Sequence, residues 1–404
     1  MKYEVIVVGA GPAGSTAAKF LSEKGIKVLL IDKNKFPRDK PCGGGIPIRV
    51  INRFKYIEEN GLIDSYSCGG YAYFSSSKHK VTLQRNKPIY ATILRKVFDY
   101  DLVKLAIKSG AAFADGKRVK DVKIHKDKVA IMLDDGTEIE SQIVIGADGI
   151  WSTIAKKTGL GQHSKIVGMC LYNEYLMNSK LLDEYFTEKR LGYMHHRVLG
   201  INGFGWVIPK KEHLNIGIGE IRNLTKVSQE KTNLKEIYTR YINDLKKNKF
   251  IPLDFPIDKP KGAVVPAYPL DRTYSNRIIL CGDAAGLANP STGAGIEYAM
   301  ISGKIAAGVI SEALEKGNTN ARFLSRYESL WKKEFGKDIK IFLQIQKRWG
   351  KQTERLIKLI GRDKQLTEMA FDIILGNSRI HTCTLRFIRR LFYSYIQDIY
   401  QRIR

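Results

Sequence analysis

Three glycines near the start of the chain have the spacing of a dinucleotide-binding turn. Gly9, Gly11 and Gly14 follow a short apolar stretch and open a helical pattern. The first glycine permits the tight turn, the second lets the backbone approach a pyrophosphate, and the third lets helix and strand pack closely. Asp32 ends the next apolar stretch, where a carboxylate accepts from ribose hydroxyls and repels a 2′-phosphate. This chemistry favours FAD or NAD over NADP, although Asp32 is also a residue type common in turns.

Two later stretches indicate which dinucleotide binds. Residues 145–152 (IGADGIWS) and 278–286 (IILCGDAAG) resemble motifs of the flavoprotein group that includes para-hydroxybenzoate hydroxylase. In that group the aspartate of the second motif, here Asp283, bonds the ribityl chain, and the next helix points its N-terminus at the isoalloxazine ring. The resemblance implies FAD. It departs from the group at Ala155, where a basic residue is common, which we interpret as a peripheral difference.

Three further stretches resemble one family within this flavoprotein group. Residues 40–45 (KPCGGG), 94–99 (LRKVFD) and 287–307, which continue the second motif, resemble the geranylgeranyl reductase family. The resemblance covers residues 1 to about 310. Aromatic hydroxylases of the wider group often have histidine where Gly286 stands, which also favours the reductases.

The resemblance implies a set of FAD-binding residues. Arg95 is a fork-shaped donor suited to pyrophosphate or ribityl oxygens, and glycines at 43–45 let the backbone lie against a flat ring. The expected FAD site, taken from the family and from the glycine motifs, comprises Gly9, Gly11, Ala13, Gly14, Asp32, Lys33, Cys42, Gly43, Gly45, Arg95, Val119, Gly282, Asp283, Gly295 and Ile296.

One stretch departs from the archaeal members of this family, which carry Pro-x-x-Tyr-x-Trp-x-Phe-Pro near the flavin. The matching residues here are 201–209 (INGFGWVIP), so Trp206 and Pro209 remain while Phe204 replaces the tyrosine. We expect Trp206 and Phe204 to form an aromatic wall that stabilises positive charge on a reacting alkene. A core aromatic in a sheet is an equally good interpretation of Trp206.

The implied reaction also needs an acid. Cys42 is our candidate, because it belongs to the loop expected beside the flavin; alternatively it only packs there, and water or the flavin supplies the proton. The pair His195 and His196 predicts no metal site, since adjacent residues on a strand point to opposite faces. No second glycine fingerprint for NAD(P)H is present, so either NAD(P)H or a ferredoxin-like protein is the expected electron donor.

The elements that position these residues predict an α/β fold. We expect a Rossmann-like FAD-binding domain of the para-hydroxybenzoate hydroxylase type, an antiparallel-sheet substrate domain and a helical C-terminal region. The FAD-binding segments are interrupted by sheet segments, which implies a discontinuous domain. The expected division is 1–65, 89–165 and 266–320 for FAD binding, 66–88 and 166–265 for the substrate domain, and 321–404 for the helical region.

The composition is that of a globular protein, with 44% hydrophobic and 27% charged residues, and excludes disordered, collagen-like and disulfide-framework classes. No apolar stretch reaches the roughly 18–20 residues that span a bilayer. The five cysteines form no Cys-x-x-Cys pair, which is typical of a reducing compartment. We therefore expect a cytoplasmic protein.

The net charge of +26 predicts attraction to polyanions. Residues 321–404 hold nineteen Lys and Arg against eight Asp and Glu. Their last segment predicts a basic helix with an apolar stripe that lies on the inner face of an anionic cell membrane, or else docks on the protein core. No nucleic-acid recognition motif is recognisable, so nucleic acid is not an expected partner. The stripe comprises Leu385, Ile388, Phe392, Ile396, Ile399 and Ile403.

These observations predict an FAD-dependent reductase that saturates isoprenoid C=C bonds of a polyprenyl lipid or quinone by hydride transfer from reduced flavin. The alternative within the same fold is a flavin-dependent monooxygenase that uses NAD(P)H and oxygen. A nucleic-acid-binding protein is the alternative from another class.

Overall fold

The computed structural model describes residues 2–74, 77–161, 166–224, 233–348 and 352–403. The strands are β1 Val5–Val8, β2 Val28–Ile31, β3 Gly45–Pro47, β4 Ser65–Ser67, β5 Gly69–Phe74, β6 Ser77–Gln84, β7 Tyr90–Thr92, β8 Ala112–Ala114, β9 Val119–Ile124, β10 Val129–Leu133, β11 Glu138–Ser141, β12 Ile143–Gly146, β13 Ile166–Leu176, β14 Gly192–His196, β15 Gly203–Pro209, β16 His213–Asn223, β17 Lys261–Pro266, β18 Tyr274–Ser275 and β19 Ile278–Leu280. The helices are α1 Pro12–Ser22, α2 Ile48–Arg53, α3 Tyr56–Glu59, α4 Arg95–Lys108, α5 Thr153–Lys157, α6 Ser179–Phe186, α7 Leu234–Lys247, α8 Ile296–Glu315, α9 Ala321–Trp331, α10 Lys337–Arg348, α11 Gln352–Arg362, α12 Lys364–Ile374 and α13 Ile380–Ile403.

The chain packs as two compact units. The first unit consists of residues 1–40, 95–167 and 265–343, and the second of 41–94, 168–264 and 344–404. The helical region expected as a third domain is divided between them, with 321–343 in the first unit and 344–404 in the second.

The first unit is built on a six-stranded sheet in the order β18-β19-β12-β1-β2-β8. The pairs that join β19, β12, β1, β2 and β8 are all parallel. Their sequences are continuous apolar runs, such as Val5–Val8, because strands of a parallel sheet are buried on both faces. The predicted Rossmann-like α/β class is confirmed, and β9, β10 and β11 form a separate antiparallel sheet.

The second unit is built on a seven-stranded sheet in the order β17-β13-β16-β15-β14-β5-β6. Strand β15 pairs antiparallel with β14 and β16, and β5 pairs antiparallel with β6, whereas β14 and β5 are parallel. On β15 the side chains alternate: Gly205 and Val207 are buried, while Phe204, Trp206 and Ile208 are half-buried. The core face of this sheet, defined by Gly205 and Val207, packs against α7 through Tyr238 and Tyr241. The site face, defined by Phe204, Trp206 and Ile208, is the opposite one.

The last three helices, α11 to α13, belong to the second unit. Asp363 joins them, because its carboxylate accepts from the Leu366 amide at the start of α12 and from Arg390 Nε and Ser394 Oγ on α13. Among the residues described here, no helix has the length and apolar content needed to cross a bilayer.

Candidate functional site

The glycine turn of the first unit lies between β1 and α1. Gly9 has φ +103°, and a Cβ there would overlap the carbonyl of Ala147. A Cβ on Gly14 would overlap the carbonyl of Gly9 itself. Both positions therefore require glycine for packing inside the protein, while Gly11 between them is partly exposed.

Asp32 lies beside this turn at the end of β2. Its Oδ2 accepts from the Ala10 amide at 2.8 Å, and its Oδ1 accepts from the Asn34 amide at 2.9 Å. The Lys117 amide donates to the Asp32 carbonyl at 2.9 Å, so the strand that begins at Val119 starts close by. The side chain of Lys33, in contrast, is exposed. Asp32 thus fixes the glycine turn through both of its carboxylate oxygens.

The N-terminus of α1 is open, because its N-cap Gly11 has no side chain and Pro12 begins the helix. Arg38 lies in front of it: its Nη2 is 3.6 Å from where a Cβ on Gly11 would be, and 3.1 Å from Asp99 Oδ2. Arg95 holds the same buried Asp99 with two bonds of 2.7 and 2.8 Å. Arg38 Nη1 is buried without a hydrogen-bond partner. This orphaned donor beside the helix N-terminus is what a pyrophosphate would satisfy.

The second FAD motif lies at the end of β19. Gly282 has φ +57°, and a Cβ there would be 3.1 Å from the Ala13 methyl group, which places Gly282 against α1. Asp283 Oδ1 is 3.2 Å from the position of a Cβ on Gly295. Gly295 is the N-cap of α8, and no side chain caps that helix. The predicted residues Ala13, Gly282, Asp283, Gly295 and Ile296 are therefore brought together in the first unit.

These features fit FAD. The helices α1 and α8 both start without a side-chain cap, and Arg38 Nη1 is a buried donor without an acceptor. Asp148 of the Ala-Asp-Gly motif has a structural role, because its carboxylate accepts from Ser152 Oγ and from the Thr153 amide at the start of α5.

On the site face of the second unit, the Trp206 indole lies over Gly217 of the neighbouring strand. A Cβ on Gly217 would be 2.7 Å from Trp206 Cη2 and nearer still to two other ring carbons. The indole Nε1 donates to Asn215 Oδ1 at 2.7 Å. Phe204 lies beside the indole, with 5.8 Å between ring centroids. Trp206 and Phe204 therefore lie side by side on the site face, with Gly217 beneath the indole.

The loop at Cys42 packs onto the same face. Asn215 Nδ2 donates to the Cys42 carbonyl at 3.1 Å, and a Cβ on Gly43 would be 3.0 Å from Ile208 Cδ1. Gly44 has φ +76°, and a Cβ there would overlap the Ile93 carbonyl. The sequence interpretation gave these glycines to contact with a flat ring. Within this unit Gly44 is required by packing on residue 93, a Cβ on Gly43 would need only a small shift of Ile208 Cδ1, and Gly45 has room for a Cβ. Contact of Gly43 and Gly45 with a flat ring stays a prediction.

Sequence reasoning missed a polar network behind this loop. Lys210 is fully buried, and its Nζ donates to the Ile93 carbonyl at 2.9 Å and to Glu174 Oε2 at 2.7 Å. Glu174 Oε2 also accepts from Asn215 Nδ2 at 3.1 Å. Glu174 and Asn215 lie on β13 and β16, Lys210 directly follows β15, and none of the three carries a motif, so only the packing of the sheet could reveal them. Arg38 was missed for a similar reason, since it lies in an irregular stretch between Asp32 and the Cys42 loop.

The two adjacent histidines lie on opposite faces, as expected for a strand. His195 Nδ1 is 2.8 Å from Tyr241 Oη on the core face, whereas the His196 ring lies 6.3 Å from that of Phe204. Burial lowers the pKa of both histidines to about 4, with the neighbouring His196 contributing to the shift at His195. Both imidazoles are therefore neutral at pH 7. The described residues contain no group of three or more His, Cys, Asp or Glu able to hold a metal ion.

The chain is similar to known proteins over most of its length. A family model described as an FAD binding domain matches residues 2–333. A digeranylgeranylglycerophospholipid reductase from Methanocaldococcus jannaschii is 33% identical over 350 residues, which is 82% of this chain and 83% of that protein. One from Methanococcus aeolicus is 30% identical over 380 residues, 91% of this chain and 92% of that protein.

Two solved structures are similar in fold. A geranylgeranyl bacteriochlorophyll reductase-like protein from Thermoplasma acidophilum has a TM-score of 0.78 at 23% identity, covering 95% of this chain and 98% of its own. A flavin-dependent brominase has a TM-score of 0.73 at 18% identity and full coverage of both chains. At these identities the likeness concerns the fold, and it confirms the predicted fold class.

Proposed function

We propose, from the premise that this chain belongs to the geranylgeranyl reductase family of FAD-dependent oxidoreductases, that it saturates isoprenoid C=C bonds of a polyprenyl lipid or quinone. The observation that carries this proposal is the match to relatives named digeranylgeranylglycerophospholipid reductase, one of them 33% identical over 82% of the chain. The name of these relatives specifies a lipid with geranylgeranyl chains, which is the substrate class we assign to this protein.

We assign FAD binding in the first unit to the glycine turn, Asp32, Arg95 and the motif around Asp283. Arg38 joins them as a donor to the pyrophosphate, because its buried Nη1 has no other acceptor. Asp99 neutralises the excess positive charge, since it pairs with both Arg38 and Arg95. From the family resemblance, Cys42, Gly43 and Gly45 stay predicted FAD contacts.

Saturation of an unactivated alkene adds a proton to the less substituted carbon and a hydride, which bound reduced FAD would supply, to the more substituted one. Positive charge develops on the more substituted carbon as the proton is added, before the hydride neutralises it. Trp206 and Phe204 present aromatic faces that stabilise such charge by roughly 0.5–2 kcal/mol each without reacting with it. We assign proton donation to Cys42, whose Sγ accepts from the Gly44 amide at 3.3 Å.

Anaerobic incubation of the dithionite-reduced protein with digeranylgeranyl glycerophospholipid tests the proposal. Mass spectrometry should find products that gain two hydrogens per double bond, and Cys42→Ser should lower the rate. NAD(P)H and a reduced ferredoxin, offered in place of dithionite, identify the electron donor. Oxygen consumption that depends on substrate and NAD(P)H, with a hydroxylated product, would instead establish a monooxygenase.

We further propose that α13 contacts an anionic membrane surface. Leu385, Ile388 and Phe392 are 79%, 54% and 66% exposed, and they repeat at intervals of three and four along the helix. Arg386 and Arg389 are exposed next to them, while Arg390 is paired with Asp363. An apolar stripe edged by arginine is suited to the interface of a bilayer, and the substrate proposed above is a lipid. The side chain of Ile403, also expected in the stripe, lies outside the described residues.

Co-sedimentation with vesicles tests this contact. The protein should bind vesicles made with roughly 30% anionic lipid and bind neutral vesicles much less, because basic side chains are attracted to a negative surface potential. Leu385→Ser should weaken binding, whereas Leu176→Ser, at a residue that is also 79% exposed, should not. Equal loss in both variants, or equal binding to both vesicles, would contradict the proposal.

A further inference from the structure

Asn215 is the only residue among those described whose side chain links the Trp206 indole to the Cys42 loop. It is fully buried in β16, and its amide makes three hydrogen bonds: it accepts from Trp206 Nε1 at 2.7 Å and donates to the Cys42 carbonyl and to Glu174 Oε2, each at 3.1 Å. The oxygen of the Asn215 amide therefore binds β15, and its NH₂ group binds the Cys42 loop, which lies far from β15 along the chain.

Only one orientation of the Asn215 amide is compatible with these partners. The indole N–H is a donor, so it requires the oxygen; the Cys42 carbonyl and the Glu174 carboxylate are acceptors, so they require the NH₂ group. In the flipped orientation a donor would face a donor, and an oxygen would face a carboxylate and a carbonyl. Buried mismatches of this kind are costly, so these partners fix the orientation, and Glu174, as the charged acceptor, disfavours the flipped form most.

Glu174 is held in turn by Lys210. The lysine Nζ is anchored to the Ile93 carbonyl, and it donates to the same Glu174 Oε2 that receives the Asn215 amide. The Lys210 side chain is only 1% exposed, and Glu174 is the acidic partner within reach of it. The chain of contacts therefore runs from Lys210 through Glu174 to Asn215, and from there to both candidate catalytic groups.

We propose that Asn215 is a positioning residue, which fixes the Trp206 ring over Gly217 and the Cys42 backbone on the site face, with Lys210 and Glu174 setting its amide orientation. This assignment rests on the function proposed above for its catalytic consequence, but the positioning itself does not. Loss of the amide frees the indole to rotate and releases the loop. A misplacement of about 1 Å can lower a rate on the order of 100-fold.

The positioning can be measured in the FAD-loaded protein without turnover. Tryptophan labelled with ¹⁵N in the indole gives a separate N–H signal for each of the four tryptophans, and Trp206→Phe identifies the signal of interest. Asn215→Leu should shift this signal upfield, because its hydrogen bond is lost. It should also raise the rate of Cys42 alkylation by N-ethylmaleimide several-fold.

A matched control and an exchange variant separate this role from general stability. Asn173→Leu removes another buried asparagine of the same sheet, whose amide donates to the backbone carbonyls of residues 258 and 259; it should change neither readout. Asn215→Asp combined with Glu174→Gln restores an acceptor for the indole and a donor between positions 215 and 174, but no donor for Cys42. The indole signal should return while Cys42 stays reactive.

The outcomes are distinct from those of the proposed function. If Asn215→Leu leaves the Trp206 signal and the Cys42 rate unchanged, the positioning role is wrong, whatever the enzyme reduces. If both change and kcat for the isoprenoid substrate falls at least 10-fold with little change in KM, the role is supported together with its catalytic consequence. If both change but wild-type protein reduces no isoprenoid lipid, the positioning stands and the proposed function fails.

Discussion

A single methyl group on Gly217 should displace the aromatic wall. In Gly217→Ala, the new Cβ would be 2.7 Å from Trp206 Cη2, whereas ordinary contact begins at 3.4 Å, so the ring must retreat by at least 0.7 Å, the difference between the two. The nearer ring carbons require a larger movement. Because the indole is also hydrogen-bonded to Asn215, it cannot retreat without stretching that bond. Overpacking of this kind costs about 1–3 kcal/mol.

The free energy of unfolding, measured with urea at a fixed excess of FAD, should fall by about that amount, and kcat should fall at least 10-fold. Gly262→Ala is the matched control, because a Cβ there would be 3.7 Å from its nearest neighbour. A double-mutant cycle decides the cause: in a Trp206→Ala background the same methyl group should cost almost nothing. An equal cost in both backgrounds would refute the reasoning, since the strain would then not involve the indole.

Three other predictions concern groups that the site description singles out. Because burial lowers the pKa of His195 and His196 to about 4, the unfolded chain protonates first as the pH falls; stability is complete above about pH 6.5 and should decline towards pH 4 by about 1 kcal/mol per pH unit for each histidine, measured by urea unfolding. Burial raises the pKa of the Cys281 thiol to about 12, so N-ethylmaleimide at pH 7.5 should label it far more slowly than Cys383, as followed by peptide mass spectrometry. Arg38→Met should raise the Kd for FAD by roughly 10-fold to 100-fold in a fluorescence titration, because charge-assisted hydrogen bonds contribute about 1.5–3 kcal/mol.

Each of these predictions has a control. His195→Gln should reduce the loss in the free energy of unfolding between pH 6.5 and pH 4, whereas His125→Gln should not, because His125 is exposed in the folded chain. An unchanged loss in His195→Gln would show that His195 does not contribute to it. Rapid labelling of Cys281 in folded protein would show that the thiol is reached by solvent. Arg322→Met removes a charge from α9 and should leave the Kd unchanged, so equal effects at both arginines would indicate a long-range charge effect only.

Part of the first unit could be read from the sequence because its signals are local. The apolar run Val5–Val8, the three glycines after it and Asp32 lie within one short segment, and their order alone predicts strand, turn, helix and strand. The structure confirms these elements and adds that Asp32 binds the Ala10 amide. The resemblance to the reductase family depended on such contiguous motifs, and the comparisons confirm it.

Arg38 could not be identified from the sequence. It lies in an irregular, glycine- and proline-rich stretch without periodicity, and its importance follows from the packing of Asp99 on a distant helix. Sequence reasoning chose Arg95 from the family motif, and the structure pairs that arginine with the same Asp99. Which of two arginines keeps an unsatisfied donor depends on tertiary contacts that no local pattern encodes.

The sequence by itself determined the nucleotide-binding turn, the α/β class and the family, because backbone geometry and apolar periodicity are properties of neighbouring residues. Only the tertiary structure decided that Asn215 binds both the Trp206 indole and the Cys42 carbonyl. The register that places Trp206 opposite Gly217 and diagonally from Asn215 is a property of two paired strands, and Lys210 and Glu174 reach Asn215 across that sheet. Hydrogen bonds between side chains on different strands depend on that register, so their partners appear only once the sheet has formed.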